Sequence, residues 1–184
     1  MWYVVQTRTG EEEKIKQIIG KLKSLDKDAV CFTPTYEGVK RSGGKNRIYL
    51  ATLFPGYIFV DTKHPEKILD AQSKMTEFIK LLGVENNEEG IVITPVSNEE
   101  KKFIKSLIDD DYLMHVSLVK LNEKHKIESI VGPLEQYWDK IVKMEYRKRR
   151  AIVETEIFGH KHRILFGLWG YEDPARDNIF VQNS

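Results

Sequence analysis

The apolar periodicity of this chain changes once, at the acidic run Asp109-Asp110-Asp111, and that change limits the folds open to it. Before the run, short aromatic and β-branched segments alternate with segments of helical period; from about Val116 onward only short strand-like runs and turns follow. The expected fold class is therefore α+β: an α/β unit first, then a small all-β unit. A length of 184 residues suffices for two small domains with thin cores. We expect a first domain over residues 1–110, a linker over 111–119 and a second domain over 120–184. The linker lacks the composition of a flexible Gly/Ser or proline-rich spacer.

Within the first part, Trp2 to Gln6 suits a buried strand, and Ile15, Ile18, Ile19 and Leu22 recur at helical spacing behind three glutamates that complement a helix dipole. Ala29 to Thr33 predicts a second strand around Cys31, a small buried hydrophobe. The polar, glycine-bearing stretch from Gly38 to Arg47 predicts a hairpin or mobile loop with an exposed tip. Phe54-Pro55-Gly56 reads as a turn entering a central strand, Glu66 to Leu82 as a helix and Ile91-Val92-Ile93 as a short strand. Ser97 and Glu100 form a capping box ahead of Phe103, Ile104, Leu107 and Ile108, which predicts a closing helix.

Composition excludes several classes. At 41% hydrophobic and 31% charged the chain has the balance of a folded protein. No stretch reaches the roughly 18 apolar residues of a membrane span, and the apolar start lacks the basic region of a signal peptide, so no membrane and a cytoplasmic location are expected. A single cysteine rules out disulfides and cysteine zinc sites within the chain. The formal net charge of +1 is unevenly spread: residues 1–119 carry −1, residues 120–168 carry +4 and residues 169–184 carry −2. A nucleic-acid footprint is thus expected late in the chain.

The chemistry-bearing segments are basic. Tyr146-Arg147-Lys148-Arg149-Arg150 lies between two apolar strand runs and places four cations on a hairpin tip. Arginine forks suit phosphates and Tyr146 suits a base, while Lys140, Lys143, Lys161, His162 and Arg163 extend the surface. A structured RNA, bound largely through its phosphates, is the expected ligand. A solvated, salt-bridged hairpin without a ligand has the same charge pattern. Lys40, Arg41, Lys45 and Arg47 in the glycine-rich segment suit DNA; a nucleotide-binding loop does not fit, because five residues separate Gly38 from Gly44 and Asn46 follows Lys45. His160 and His162 share a strand face, with His125 as a third candidate, too few ligands for structural zinc. No metal, no cofactor and no catalytic nucleophile with its base are expected, so an enzyme is not.

Trp2-Tyr3-Val4-Val5-Gln6, Gly10 with the charged helix, and Phe54-Pro55-Gly56-Tyr57-Ile58-Phe59-Val60 resemble, in order and spacing, the N-terminal domain of NusG-family elongation factors. Gly132-Pro133-Leu134, Ile141-Val142, Ile152-Val153 and Glu156-Ile157-Phe158-Gly159-His160 are similar to the KOW domain that follows in that family. The resemblance implies an NGN-like α/β sandwich, then a five-stranded KOW β-barrel. It implies a transcription elongation and antitermination factor whose first domain docks on the clamp region of RNA polymerase, with Trp2, Tyr3, Phe54, Pro55 and Tyr57 matching the polymerase-facing motif. The basic loop and basic second domain point to a specialised paralogue of the LoaP antiterminator type. In that setting the RNA is a hairpin in the nascent leader, and the DNA upstream or non-template.

Two residues depart from the family pattern: Leu134 stands for the usual phenylalanine and Asp139 for the expected glycine. Both fall in the loop implicated, in general NusG proteins, in contacting termination factor Rho and a small ribosomal protein, which argues against carrying those contacts over. The alternative readings are a ribosome-associated KOW protein coupling transcription to translation, and a general elongation factor with no specific RNA target. The Phe54-Pro55-Gly56-Tyr57 element favours polymerase over the ribosome.

Overall fold

The structure, a computed structural model, describes residues 1–21, 29–124 and 126–173. In chain order the first half runs β1 (Trp2–Thr7), α1 (Glu12–Lys21), β2 (Val30–Phe32), β3 (Thr35–Ser42), β4 (Lys45–Thr52), β5 (Tyr57–Asp61), α2 (Glu66–Lys74), β6 (Ile79–Leu81), β7 (Val84–Asn87), β8 (Gly90–Ile93) and α3 (Asn98–Leu107). The second half runs β9 (Leu113–Met114), β10 (Ser117–Leu121), β11 (Ile127–Val131), a 3-10 turn (Glu135–Lys140), β12 (Ile141–Glu145), a second 3-10 turn (Tyr146–Lys148), β13 (Arg150–Ile157) and β14 (His160–Gly170). By packing the chain forms two compact units, residues 1–33 with 54–103, and residues 34–53 with 104 onward.

The first unit is built on a four-stranded sheet of order β2-β5-β1-β6. Its strands are antiparallel, with Val4 opposite Phe59 and Val5 opposite Leu81. Strand side chains alternate between faces. Tyr3, Val5, Ile58 and Val60 form one core cluster with Ile15 and Ile19 of α1 and Ile68 of α2. Ile15 and Ile19 are four apart and so share a helix face; Leu22, expected in the same stripe, lies outside the described residues. Each of these buried aliphatic chains contributes roughly 2 kcal/mol. Rings of Trp2, Phe32 and Phe59 form a second group: Trp2 meets Phe32 edge-on at 5.0 Å, and Phe32 stacks on Phe59 at 5.3 Å.

One expectation from the sequence changes here. The helix from Glu66 stops at Lys74 rather than Leu82, because Ile79 and Leu81 alternate inward with Lys80 outward, the strand period, and pair with Thr7 and Val5 of β1. The expected Ile91–Ile93 strand forms, as one arm of the β7–β8 ribbon with Ile91 exposed. The capping box is made: the Ser97 amide donates to Glu100 at 3.0 Å, and the Glu100 amide donates to the Ser97 hydroxyl at 3.2 Å.

In the second unit one sheet has the order β11-β10-β14-β13-β12. The sheet has five strands, as expected of the second domain, although β10 starts at Ser117 within the expected linker; β11 and β12 are its two ends. β13 pairs over its full length with His160–Gly167 of β14 around Phe158-Gly159, both at positive φ, as a tight two-residue hairpin requires. A second sheet, β4-β3-β9, carries the basic hairpin, closed by Gly43 (φ 58°) and Gly44 (φ 77°).

The hairpin belongs by packing to this second unit, although the linear division at 110 and 120 puts it in the first domain. Its inner apolar residues, Val39 and Ile48, cluster with Val116 and Trp169. Contact is close enough that a Cβ on Gly167 of β14 would stand 2.2 Å from the Glu37 carbonyl oxygen of β3. The stretch expected as linker holds β9 and the start of β10. Glu37, fully buried, accepts the Val116 amide at 2.9 Å and faces His115 Nδ1 at 3.3 Å.

Candidate nucleic-acid interface

β12 and β13 are joined by the turn that the sequence marks as a basic tip, with Glu145 opposite Arg150. Arg149 takes the left-handed conformation (φ 54°, ψ 43°) that turns the chain back into β13. Most of the cations here are already paired. Glu145 accepts Arg150 Nε at 2.7 Å and Lys148 Nζ at 3.0 Å, with Lys143 Nζ at 3.4 Å. These cations hold its carboxyl at about 2, far below the ordinary 4.5. The Arg149 guanidinium lies 4.7 Å over the Tyr146 ring and donates to the Tyr146 oxygen at 2.8 Å. It also pairs with Glu172 at 3.4 Å and Asp173 at 3.2 Å. The Tyr146 hydroxyl donates to Glu172 at 2.6 Å, and burial, then that carboxylate, pushes it up to about 12. Arg147 is exposed and has no ion pair among the described residues.

The β3–β4 hairpin sorts its cations by strand alternation. Lys40 stands opposite Arg47, and Ser42 opposite Lys45, on the face that leaves Val39 and Ile48 behind. Like charges directly opposite one another are unfavourable, which keeps this face wet; Lys40 lies 5.5 Å from the Tyr49 ring. Arg41 and Asn46 are paired on the other face, and Asn46 Nδ2 donates to Asp173 at 2.7 Å. Here the two basic segments meet. Arg41, Gly44 and Asn46 of the hairpin and Tyr146, Arg147 and Arg149 of the turn line one open cleft of about 490 Å³.

The remaining sequence candidates lie outside that cleft. Lys161 and Arg163 face Glu154 at 3.6 Å and 3.4 Å. His162 is half-buried edge-on to Phe158, and burial, with His160 beside it, lowers its pKa below 6.5, so it is mostly uncharged at neutral pH. Lys140 is exposed at the end of the first 3-10 turn. Asn46, Glu172 and Asp173 were not singled out from the sequence. The signal for the last two was the −2 charge of residues 169–184 following a segment of +4. Leu134 is fully buried, its amide held by the Ser117 hydroxyl at 3.0 Å, while Asp139 is exposed.

In the first unit, Phe54-Pro55-Gly56-Tyr57 forms a turn closed by the Tyr57 amide donating to the Phe54 carbonyl at 3.1 Å, with Gly56 at φ 83°. Proline second and a positive-φ glycine third suit a type II turn. Buried Glu12 accepts the Gly56 amide at 2.6 Å and the Gly10 amide at 2.8 Å, which ties the turn to the start of α1. Of the five residues matching the polymerase motif, Pro55 is exposed while Trp2, Tyr3, Phe54 and Tyr57 are buried. Trp2 donates its indole N–H to Asp61 at 3.1 Å, and Lys101 Nζ sits 4.9 Å from its ring.

Among the described residues no cluster of three His, Cys, Asp or Glu is placed to hold a metal ion, and His125 lies outside them. Burial raises the Cys31 thiol to about 11, consistent with a packing role. No described helix is long and apolar enough to cross a membrane.

The first unit is thus an antiparallel sheet backed by helices, and the second carries an arginine-lined cleft. Residues 1–105 match the family model described as "Transcription termination factor nusG". The chain belongs to the NusG family of transcription termination and antitermination factors. It is 26% identical over 171 residues to the "Transcription termination/antitermination protein NusG" of Borreliella burgdorferi, covering 86% of this chain and 90% of that one. It is 25% identical over 175 residues to the Thermus thermophilus protein of the same description, covering 87% and 91%. The solved structure "Domain interaction in Thermotoga maritima NusG" is 23% identical and covers 90% of this chain and 92% of its own, at a TM-score of 0.44.

Proposed function

We propose that this chain is a specialised, LoaP-type NusG paralogue acting in the cytoplasm as an antitermination factor. Its first unit docks on the RNA polymerase clamp and its second, closing as a KOW-type barrel, holds a structured nascent leader RNA. The observation that carries the RNA arm is the cleft in which Arg41, Arg147 and Arg149 converge beside Tyr146. Guanidinium groups without an ion pair among the described residues, those of Arg41 and Arg147, beside an aromatic ring suit phosphates and an unstacked base. In the first unit Pro55 offers the exposed point of the polymerase motif, and Trp2, Tyr3, Phe54 and Tyr57 shape the surface from beneath. Lys40, Lys45 and Arg47, on the outer face of the hairpin, are available to upstream or non-template DNA.

The test is transcription by purified bacterial RNA polymerase through a leader and a downstream terminator, with and without the full chain. Increased read-through that depends on one folded leader, and binding to that leader in preference to a scrambled RNA at fixed salt, is the expected result. Read-through independent of leader sequence would instead support a general elongation factor. Absence of any effect on polymerase, with binding to ribosomal subunits, would support the ribosomal reading.

A further inference from the structure

We propose that the inner face of the β3–β4 hairpin and the 146–149 turn together form one binding site for a single-stranded RNA segment, with Arg41 and Arg147 as its two phosphate-binding arms. This rests on the RNA-binding reading above and assigns to the RNA a residue, Arg41, that its place in the sequence groups with the DNA-facing cations. Sequence grouping misleads here because neighbouring residues of a strand point to opposite faces. Lys40, Lys45 and Arg47 fall on the outer face, and Arg41 falls on the inner face, in the cleft.

The roles within the cleft follow from who is already paired. Arg149 is committed: it stacks on Tyr146 and is neutralised by Glu172 and Asp173. It is a positioning residue that sets the Tyr146 ring and the floor of the cleft. Arg41 and Arg147 have no ion pair among the described residues, so their charge is available to a ligand. The two arms are held in register by one carboxylate, because Asp173 takes both the Asn46 amide of the hairpin at 2.7 Å and the Arg149 guanidinium of the turn at 3.2 Å. Such a link fixes the geometry before binding, which lowers the ordering cost of the complex.

Size and chemistry select the ligand. A cleft of about 490 Å³ is on the scale of sites for one small-molecule-sized group. A cleft of this kind takes a turned-out base and its phosphates, whereas an RNA duplex keeps its bases stacked and is contacted across its shallow minor groove. Two guanidinium arms flanking an aromatic residue match successive phosphates of a strand whose base is turned out of its stack, as in an RNA loop or end.

The experiment is equilibrium binding of the full chain to a fluorescein-labelled 12-nucleotide single-stranded RNA, a DNA strand of the same sequence and a DNA duplex, each over a salt series. R41Q and R147Q are each expected to weaken the single-stranded RNA by about fivefold to tenfold and to lower its salt slope by about 0.7. The K40Q/R47Q double variant, on the outer face, is expected to stay within about twofold on RNA. All these residues are exposed, and a circular dichroism melt checks that each variant folds. If R147Q weakens RNA while R41Q leaves affinity and slope unchanged, or R41Q weakens only the duplex, the shared site is overturned and the RNA-binding reading stands. If the unmodified chain binds neither this RNA nor a folded leader at low salt, the RNA-binding reading fails and the shared site with it.

Discussion

Asn46 and Asp173, 127 positions apart in the chain, meet through a hydrogen bond of 2.7 Å. The same carboxylate accepts the Gly170 amide at 2.7 Å and pairs with Arg149, so one side chain joins the hairpin, the end of β14 and the basic turn. Asp173 is nearly buried, and removing it strands three donors. Replacing it by Ala is expected to cost about 2 kcal/mol of stability, more than one ordinary hydrogen bond contributes. Urea unfolding checks this, and an unchanged midpoint would show that the junction does not support the fold.

Acid should remove the contribution of the Glu145 cluster to stability. The Glu145 carboxyl titrates at about 2 in the folded chain against an ordinary 4.5, so protons bind more readily to the unfolded state. The stabilisation is therefore complete above pH 4.5 and is lost as pH falls from 4.5 towards 2. Carbon-detected NMR of the side-chain carboxyls should place Glu145 well below the solvated glutamates. A midpoint near 4.5 would mean that Lys148 and Arg150 are solvated rather than paired with it.

How much of this was legible in the sequence depends on the range of the interaction. Local signals read correctly: the Ser97–Glu100 capping box, the Ile15/Ile19 stripe and the Phe54-Pro55-Gly56-Tyr57 turn all act within one or two helical turns or a single reversal. The periodicity after Glu66 predicts too long a helix because Ile79 and Leu81 are claimed by pairing with β1, a partner more than 70 residues away. The basic turn was visible as a charge run, but its neutralisation by Glu172 and Asp173 was not, since nothing local marks which acidic residue will reach which cation. Placement of the hairpin against Trp169 was hidden for the same reason, and with it the meeting of Arg41 and Arg147.

Glu12 offers a test of the first unit. Its buried carboxylate satisfies the Gly10 and Gly56 amides, two backbone donors with no strand or helix partner. Glu12→Ala should lower stability by about 2–4 kcal/mol, since each buried donor left unmade costs about 1–3 kcal/mol and water relieves part of that. Glu12→Gln keeps one acceptor oxygen and should recover about half of the loss. Equal losses in the two variants would indicate that the charge, rather than the hydrogen bonds, supports the turn.

Phe54 and Pro55 are neighbours with opposite surroundings, and this separates folding from docking. The Phe54 ring is buried and packs edge-on to Phe59 at 5.8 Å, so Phe54→Ala should cost about 3–5 kcal/mol through the lost contacts and the cavity. Any loss of polymerase binding in that variant reports the fold. Pro55 is exposed at the tip of the turn, and Pro55→Ala should cost no more than about 1 kcal/mol, mostly through greater freedom of the unfolded chain. Thermal melts and polymerase pull-down of the two variants, measured side by side, read the two effects apart. Weakened polymerase binding by a stably folded Pro55→Ala chain would place the turn in the docking surface. Full binding by that variant would move the docking surface away from the turn tip, and the polymerase motif would then act through the core it builds.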